Sequence, residues 1–219
     1  MESILEFLQA IQEPLIQTII MVAISTLISV ALGLPLGIIL TVTDKGHILE
    51  NKTVNTVIGT IVNIFRSIPF IILIIALFPL SKLILGTSIG PKAATLALSI
   101  AAAPFVARII ESSLKEVSYG LIEASLASGA TNAQIIFKVM LPEALPSLIL
   151  GITLTIINVL GYSAMAGAVG GEGLGDYVIR EGYLKYNNEI VFLSIIVLII
   201  LVEIIQQLGN FLARKFDKR

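Results

Sequence analysis

Cysteine and tryptophan are absent from this chain, and histidine occurs once, at His47. Without thiols there is no disulfide and no thiolate metal site, and one imidazole makes neither a metal cluster nor a histidine relay. Charge is scarce as well. Of the 219 residues 13% are Asp, Glu, Lys or Arg, with a net charge of −1. A soluble domain carries about a quarter charged residues. A near-neutral balance also provides no broad basic surface for nucleic acid. No GxxxxGK[ST] run occurs, so no P-loop is present to cradle nucleotide phosphates. Glu2, Glu6 and Glu13 precede the first long apolar run, with no Lys or Arg among them. That is the wrong start for a cleavable signal peptide, which needs a positive region ahead of its apolar core.

What the chain does have is apolar residues, 56% of the total, in runs long enough to cross a bilayer at about 20 residues each. The expectation is an all-α polytopic membrane protein, one domain over 1–219 surrounded by lipid. Five transmembrane helices are expected near 15–42, 54–80, 91–115, 145–169 and 190–212, with a two-helix loop over 117–142. In the first span Pro35 predicts a kink, while Gly33 and Gly37, four apart, permit close approach of a neighbouring helix. The polar connector 43–52 carries His47 as a solvated loop residue. The first half of the second span, with Asn55, Asn63 and Arg66, reads as interfacial or cavity-facing, and Arg66 belongs near a surface because a mid-bilayer Arg costs about 2.5–3.5 kcal/mol. Pro91 opens the third span. Arg108, Glu111 and Lys115 follow at spacings of three and four, a charge ladder expected in water or headgroups. Glu203, Gln206, Gln207 and Asn210 are expected at the inner surface or paired within the bundle. The glycine-rich segment 170–188 has the wrong spacing for a dinucleotide fingerprint and follows no strand.

The segment Glu123–Pro142 is the only long polar-flecked stretch between apolar ones. Helical spacing before Gly129 and again from Ala133 to Met140 predicts two short helices joined by a turn, with glycine free to take the left-handed φ that costs other residues about 1–2 kcal/mol. Pro142, lacking an N–H, suits the first turn of a further helix. Glu123, Ala124, Gly129, Leu141 and Pro142 also fall on the spacing of the EAA loop in binding-protein-dependent ABC importer permeases, which this stretch resembles. Ser125 stands in place of the usual third alanine and Val139 in place of isoleucine. An ordinary interfacial hairpin between two spans would not explain why acidic, small and Gly-Pro positions coincide. The run Phe65–Ile74 is similar to an early helix of amino-acid-type permeases, and Gly161–Tyr183 resembles the permease subunit of methionine-importing ABC transporters.

The resemblance implies a homodimer of five-span subunits and two cytoplasmic ATPase subunits that bind ATP and Mg, with no cofactor on this chain. It also implies a methionine-binding lipoprotein outside. The residues expected to couple to the ATPase are Glu123, Ala124, Ser125, Gly129, Leu141 and Pro142. The segment from Asn158 to Gly167 combines small residues with polar ones, which makes Asn158, Tyr162, Ser163 and Met165 candidates for the pathway. Independently, placing the Glu123 loop inside puts only Lys82, Lys92, Arg180 and Lys185 outside, out of 14 basic residues. The positive-inside rule therefore predicts an external N-terminus and a cytoplasmic C-terminus. Other readings are a permease for another small amino acid, a carrier or channel not driven by ATP, and a membrane hydrolase. The carrier lacks the expected mid-span charges or paired broken helices. The hydrolase has Ser99 and Ser163, but its only His lies in a loop.

Overall fold

The computed structural model describes residues 2–217, with side chains from Glu6 onward; the basic Lys218 and Arg219 lie outside the described residues. The chain opens with α1, Glu2–Val42, a helix of 41 residues. At 1.5 Å per residue it is about 60 Å long, roughly twice the thickness of a bilayer's hydrocarbon core. The expected span of 15–42 is therefore its inner part only, and Pro14 and Pro35 lie inside it without ending it.

Small residues set the central helix pair. Ser25, Ser29, Gly33 and Gly37 recur every fourth position of α1 and face α4, Pro91–Lys115. The Ser25 hydroxyl donates to the Thr95 carbonyl at 3.1 Å, and the Ser29 hydroxyl to that of Ser99 at 2.9 Å. Further along, a Cβ on Gly33 would stand 2.9 Å from the Ala103 carbonyl oxygen, and one on Gly37 would stand 2.7 Å from that of Ala107. The residue offset stays constant along this contact, so the two helices run parallel. Side chains this small let backbones meet and make their own polar bonds.

Two parallel helices need a return crossing between them. It is made by α3, Phe70–Leu85, whose Ser81 hydroxyl donates to the Ala93 carbonyl at 3.2 Å. The single span expected over 54–80 is in fact two helices. α2, Lys52–Ser67, meets α3 at a bend of 106°. The cause is local: Ile68 precedes Pro69 and is extended, with φ −81° and ψ 127°, because a proline ring clashes with a helical predecessor. α2 is amphipathic. Val57, Ile61 and Ile64 are exposed on one side, while Gly59 and Val62 are buried against the bundle.

The remaining elements are α5, Tyr119–Ala127, and α6 over residues 132–143, which contains a π-turn at Ile135–Met140. α7, Leu145–Ala166, then returns through the bundle and ends in a π-turn at Gly167–Gly171. α8 comprises Gly173–Tyr177 and the continuing π-turn Val178–Tyr183, and α9, Asn188–Phe216, closes the chain. α9 is peripheral and presents exposed Ile196, Ile199, Ile200 and Ile204. Its polar residues pair along the helix, Gln207 with Glu203 at 2.9 Å and Gln206 with Asn210 at 3.1 Å. The α5–α6 loop thus marks one end of the bundle and the α7–α8 hairpin the other.

Candidate functional site: the loop end and the open face of α7

α5 and α6 form a hairpin anchored by one buried residue of α5 and three of α6. Ile122 is buried with Ile135, Ile136 and Met140 in the cluster that fills the loop end. The turn is a Schellman arrangement in which the N–H of Ala130 donates to the Ser125 carbonyl at 3.1 Å and that of Gly129 to Leu126 at 2.9 Å. Gly129 has φ +80°, as the sequence predicts, and nothing lies within 4 Å of where its Cβ would be. Thr131 and Gln134 then form a capping box, each side chain accepting from the other's backbone N–H, at 3.3 and 2.9 Å. Pro142 stands in the first turn after the π-turn. Glu123 and Ala124 are exposed, Ser125 is half-buried, and Leu121, Leu126 and Phe137 leave apolar surface open around them. A capped, rigid hairpin with an exposed apolar surface and a free carboxylate has the form of a docking element.

Behind the loop lies a charged cluster. Arg108 donates to Glu111 at 2.6 Å, to the Gly59 carbonyl at 3.2 Å and to Asn63 Oδ1 at 2.9 Å. Lys115 pairs with Glu111 at 2.9 Å and with Asp44 at 2.6 Å. The ladder is therefore solvated only in part: α2 lies over Arg108, Glu111 is only 8% exposed, and Lys115 remains exposed beside the connector. Arg66, in the last turn of α2, is exposed. Lys115 and the Lys45 N–H hold the Asp44 carboxyl below the usual carboxylate range. Burial pushes His47 below the ordinary imidazole value, against the opposing pull of Asp44. His47, expected to be fully solvated, is partly enclosed, and its Nδ1 accepts from the Ile48 N–H at 3.0 Å.

The four pathway candidates do not share one face. Leu154, Gly161, Met165 and Ala168 are exposed along one side of α7, and the half-buried Asn158 falls on that stripe. Tyr162 sits at its edge, stacked on Phe70 of α3 with ring centroids 4.0 Å apart and planes 8° apart. Ser163 points into the bundle, 2% exposed, and donates to the Leu160 carbonyl at 2.7 Å. Phe70 escaped the sequence reading, which lacked the α2–α3 break that carries it to α7. Above this face α8 folds back on α7. A Cβ on Gly175 would stand 2.2 Å from the Ala164 carbonyl oxygen, and one on Gly167 2.4 Å from the Asp176 nitrogen. The first N–H groups of α8 are capped from α1, with Leu174 donating to the Thr18 hydroxyl at 2.8 Å and Gly173 to Gln17 Oε1 at 3.3 Å.

Residues 33–219 match the family model of the binding-protein-dependent transport system inner membrane component. The methionine import system permease protein of Bacillus subtilis strain 168 is 48% identical over 181 residues, covering 83% of this chain and 82% of its own. The D-methionine transport system permease protein of Escherichia coli strain K12 is 50% identical over 151 residues, covering 69% and 70%. Among solved structures, the inward-facing MetNI methionine ABC transporter superposes with a TM-score of 0.93 at 45% identity, covering 95% of this chain and 96% of that one. An amino acid ABC transporter crystallised with histidines superposes at 0.80 with 20% identity, a likeness of fold alone.

Proposed function

This chain belongs to the family of binding-protein-dependent transport system inner membrane components, and from that premise we infer that it is the permease subunit of an ATP-driven methionine importer. The observation that carries the inference is identity of about one half to methionine permeases, kept over most of both chains. ATP hydrolysis belongs to a separate ATPase subunit. Two copies of the chain form the membrane unit, two ATPase subunits sit beneath it, and a methionine-binding lipoprotein delivers substrate from outside. The loop end faces the cytoplasm and the N-terminus lies outside. Lys82, Lys92, Arg180 and Lys185 at the hairpin end, against Lys45, Lys52, Lys115, Lys138, Arg214 and Lys215 at the loop end, support that orientation.

In this reading α5 docks on the ATPase through Glu123, Ala124 and Ser125. Gly129 sets the angle between α5 and α6, and Leu141 and Pro142 join the hairpin to α7. Closure of the ATPase pair moves the hairpin as a rigid unit. Asn158, Gly161, Met165 and the edge of Tyr162 line the passage between the two copies. An Asn facing hydrocarbon would be costly, which favours a wet or protein-covered position for that face. Ser163 is left out because its hydroxyl is used inside the bundle.

The test is reconstitution of the chain with its co-purifying ATPase and binding protein in vesicles. ATP-dependent uptake of radiolabelled methionine, resisted by an excess of unlabelled methionine but not by other small amino acids, is expected. Uptake without ATP, or equal competition by all small amino acids, would overturn respectively the drive and the substrate.

A further inference from the structure

The joint between α4 and α5, residues 115–119, is one of the two places where the hairpin joins the bundle, the other being residues 141–144 ahead of α7. Two side chains at this joint reach away from the loop and toward the connector 43–51 that joins α1 to α2. Lys115 Nζ pairs with Asp44 at 2.6 Å, and the Tyr119 hydroxyl donates to the Gly46 carbonyl at 2.9 Å. The connector is itself firmly built. The Gly46 N–H donates to Glu50 at 2.9 Å, Leu49 N–H to the Val42 carbonyl at 2.9 Å, and Asn51 N–H to that of Thr43 at 3.0 Å. It then passes into α2 with its start fixed twice. Asn51 caps the helix by accepting from Val54, and Asn55 Nδ2 donates back to the Leu40 carbonyl at 2.7 Å. α2 in turn is held to α4 by Arg108 and ends at the Ile68–Pro69 bend, immediately before the Phe70 ring stacked on Tyr162.

Besides its two backbone joints, along α4 and through Leu141 and Pro142 into α7, the hairpin therefore has a side-chain route across to the connector, along α2 and into Phe70. We propose that the connector 43–51 is a further transmission route from the coupling hairpin to the α7 face, with Asp44 and Tyr119 as its positioning residues. The inference rests on the permease reading above. The Asp44–Lys115 pair is partly exposed and Tyr119 half-exposed, so their removal changes stability little. Their value is directional. They decide whether α2 follows the hairpin or stays behind, and a link of two bonds to one short connector makes the two bodies move together.

The test uses the full complex in vesicles and reads methionine imported per ATP hydrolysed. Asp44→Asn keeps the side chain's size and its ability to accept from the Lys45 N–H but loses the ion pair. It is expected to lower that ratio about two- to fivefold, the scale of one partly exposed ion pair, with basal hydrolysis and thermal midpoint unchanged. Asp44→Glu restores the ratio. Tyr119→Phe lowers it in the same direction, and the double variant falls short of the product of the two single effects because both act on one link. In parallel, a cysteine at position 165 of this cysteine-free chain reports the α7 face. Its thiol reactivity should change with nucleotide in the otherwise wild-type complex and change less in Asp44→Asn. A purely structural role would lower the thermal midpoint and leave the ratio alone. A double variant with the wild-type ratio overturns the inference while the permease reading stands. A wild-type complex that imports no methionine overturns both.

Discussion

The chain has a helical hairpin at each end of its bundle, and glycine serves the two for opposite reasons. Gly129, between α5 and α6, has φ +80° and open space on every side. Gly175, between α7 and its returning partner α8, has an ordinary backbone, but the space its Cβ would need is already filled by Ala164. In the first hairpin α5 and its turn stand largely exposed, held to the bundle by Ile122 and by Ile135, Ile136 and Met140 of α6. The second is packed backbone to backbone and stapled to α1 through Gln17 and Thr18. In the permease reading proposed above the first loop engages another protein and moves, which needs a fixed internal angle and free surroundings. A segment closing the far end needs contact without slack. The structure divides these two demands between its ends.

The largest effect expected of that division is at Gly175. Gly175→Ala sets a methyl group against backbone that cannot turn aside, and overpacking of this kind costs about 1–3 kcal/mol. Here the upper end applies because the obstacle is a carbonyl, not a flexible side chain. Thermal unfolding of the purified chain should show a clear fall in midpoint and poor yield. An unchanged midpoint would mean that the hairpin end is loose, and the contrast would fail.

Gly129→Ala meets no neighbour, so its cost is confined to the left-handed φ, about 1–2 kcal/mol, and Gly129→Val adds a branched side chain to that strain. Both variants should insert and assemble with midpoints closer to wild type than Gly175→Ala. Import should fall in both, more in Val than in Ala, as the hairpin angle relaxes. Full coupling of hydrolysis to import in Gly129→Val would separate the glycine from transmission.

The two ends also differ in how legible they were. The α5–α6 hairpin could be read directly, because a left-handed glycine and a proline after a helical run are local signals that no tertiary contact overrides. The start of α4 at Gly90-Pro91 was readable for the same reason. The break at Ile68–Pro69 was not, since 54–80 has about the length of one span and its polar first half, with Asn55, Asn63 and Arg66, reads as the interfacial part of a single helix. The rule that a residue before proline leaves the helical region was the available signal. α1 was cut short because the expected span follows the long apolar run after Glu13, though charge does not end a helix. The charged ladder on α4 was placed in solvent because its spacing is that of a helix surface, and nothing in one sequence says that α2 covers Arg108. Ser163 was grouped with Asn158 by chemistry. The helical phase separates them, and that could have been worked out from position alone.

That phase yields a smaller, sharper test on the α7 face. Cysteines at 158, 161 and 165 should react with a small water-soluble thiol reagent in at least one nucleotide state, whereas one at 163 should not. Met165→Ala should alter import rate or basal hydrolysis without reducing assembly. A face that faces lipid throughout would leave all four positions unreactive, and the passage would then have to be sought elsewhere.

The smallest effect is a pH dependence seated in the 43–51 connector, at the loop end. Burial holds the folded pKa of His47 below its usual value of 6.5. The unfolded chain therefore takes up the proton first as pH falls, and the native state loses stability as pH drops through about 6.5 toward the folded value. Below the folded value the loss levels off. Asp44 behaves as a carboxylate held down by Lys115. Its contribution is complete above the unfolded value of 3.8 and disappears only as pH falls below that, through the folded pKa. The two windows open at different pH, about 6.5 for His47 and about 3.8 for Asp44, so the first loss on acidification reports His47. Between pH 7.5 and 5.5 the thermal midpoint of the purified chain should decline slightly, and His47→Gln, which cannot titrate, should flatten the curve. Asp44→Asn removes the carboxylate that pulls the His47 pKa up, so it should steepen the decline in that interval as well as alter the acid limb. A slope in the upper window that survives His47→Gln would assign it to other groups and leave the connector without a titrating residue near neutrality.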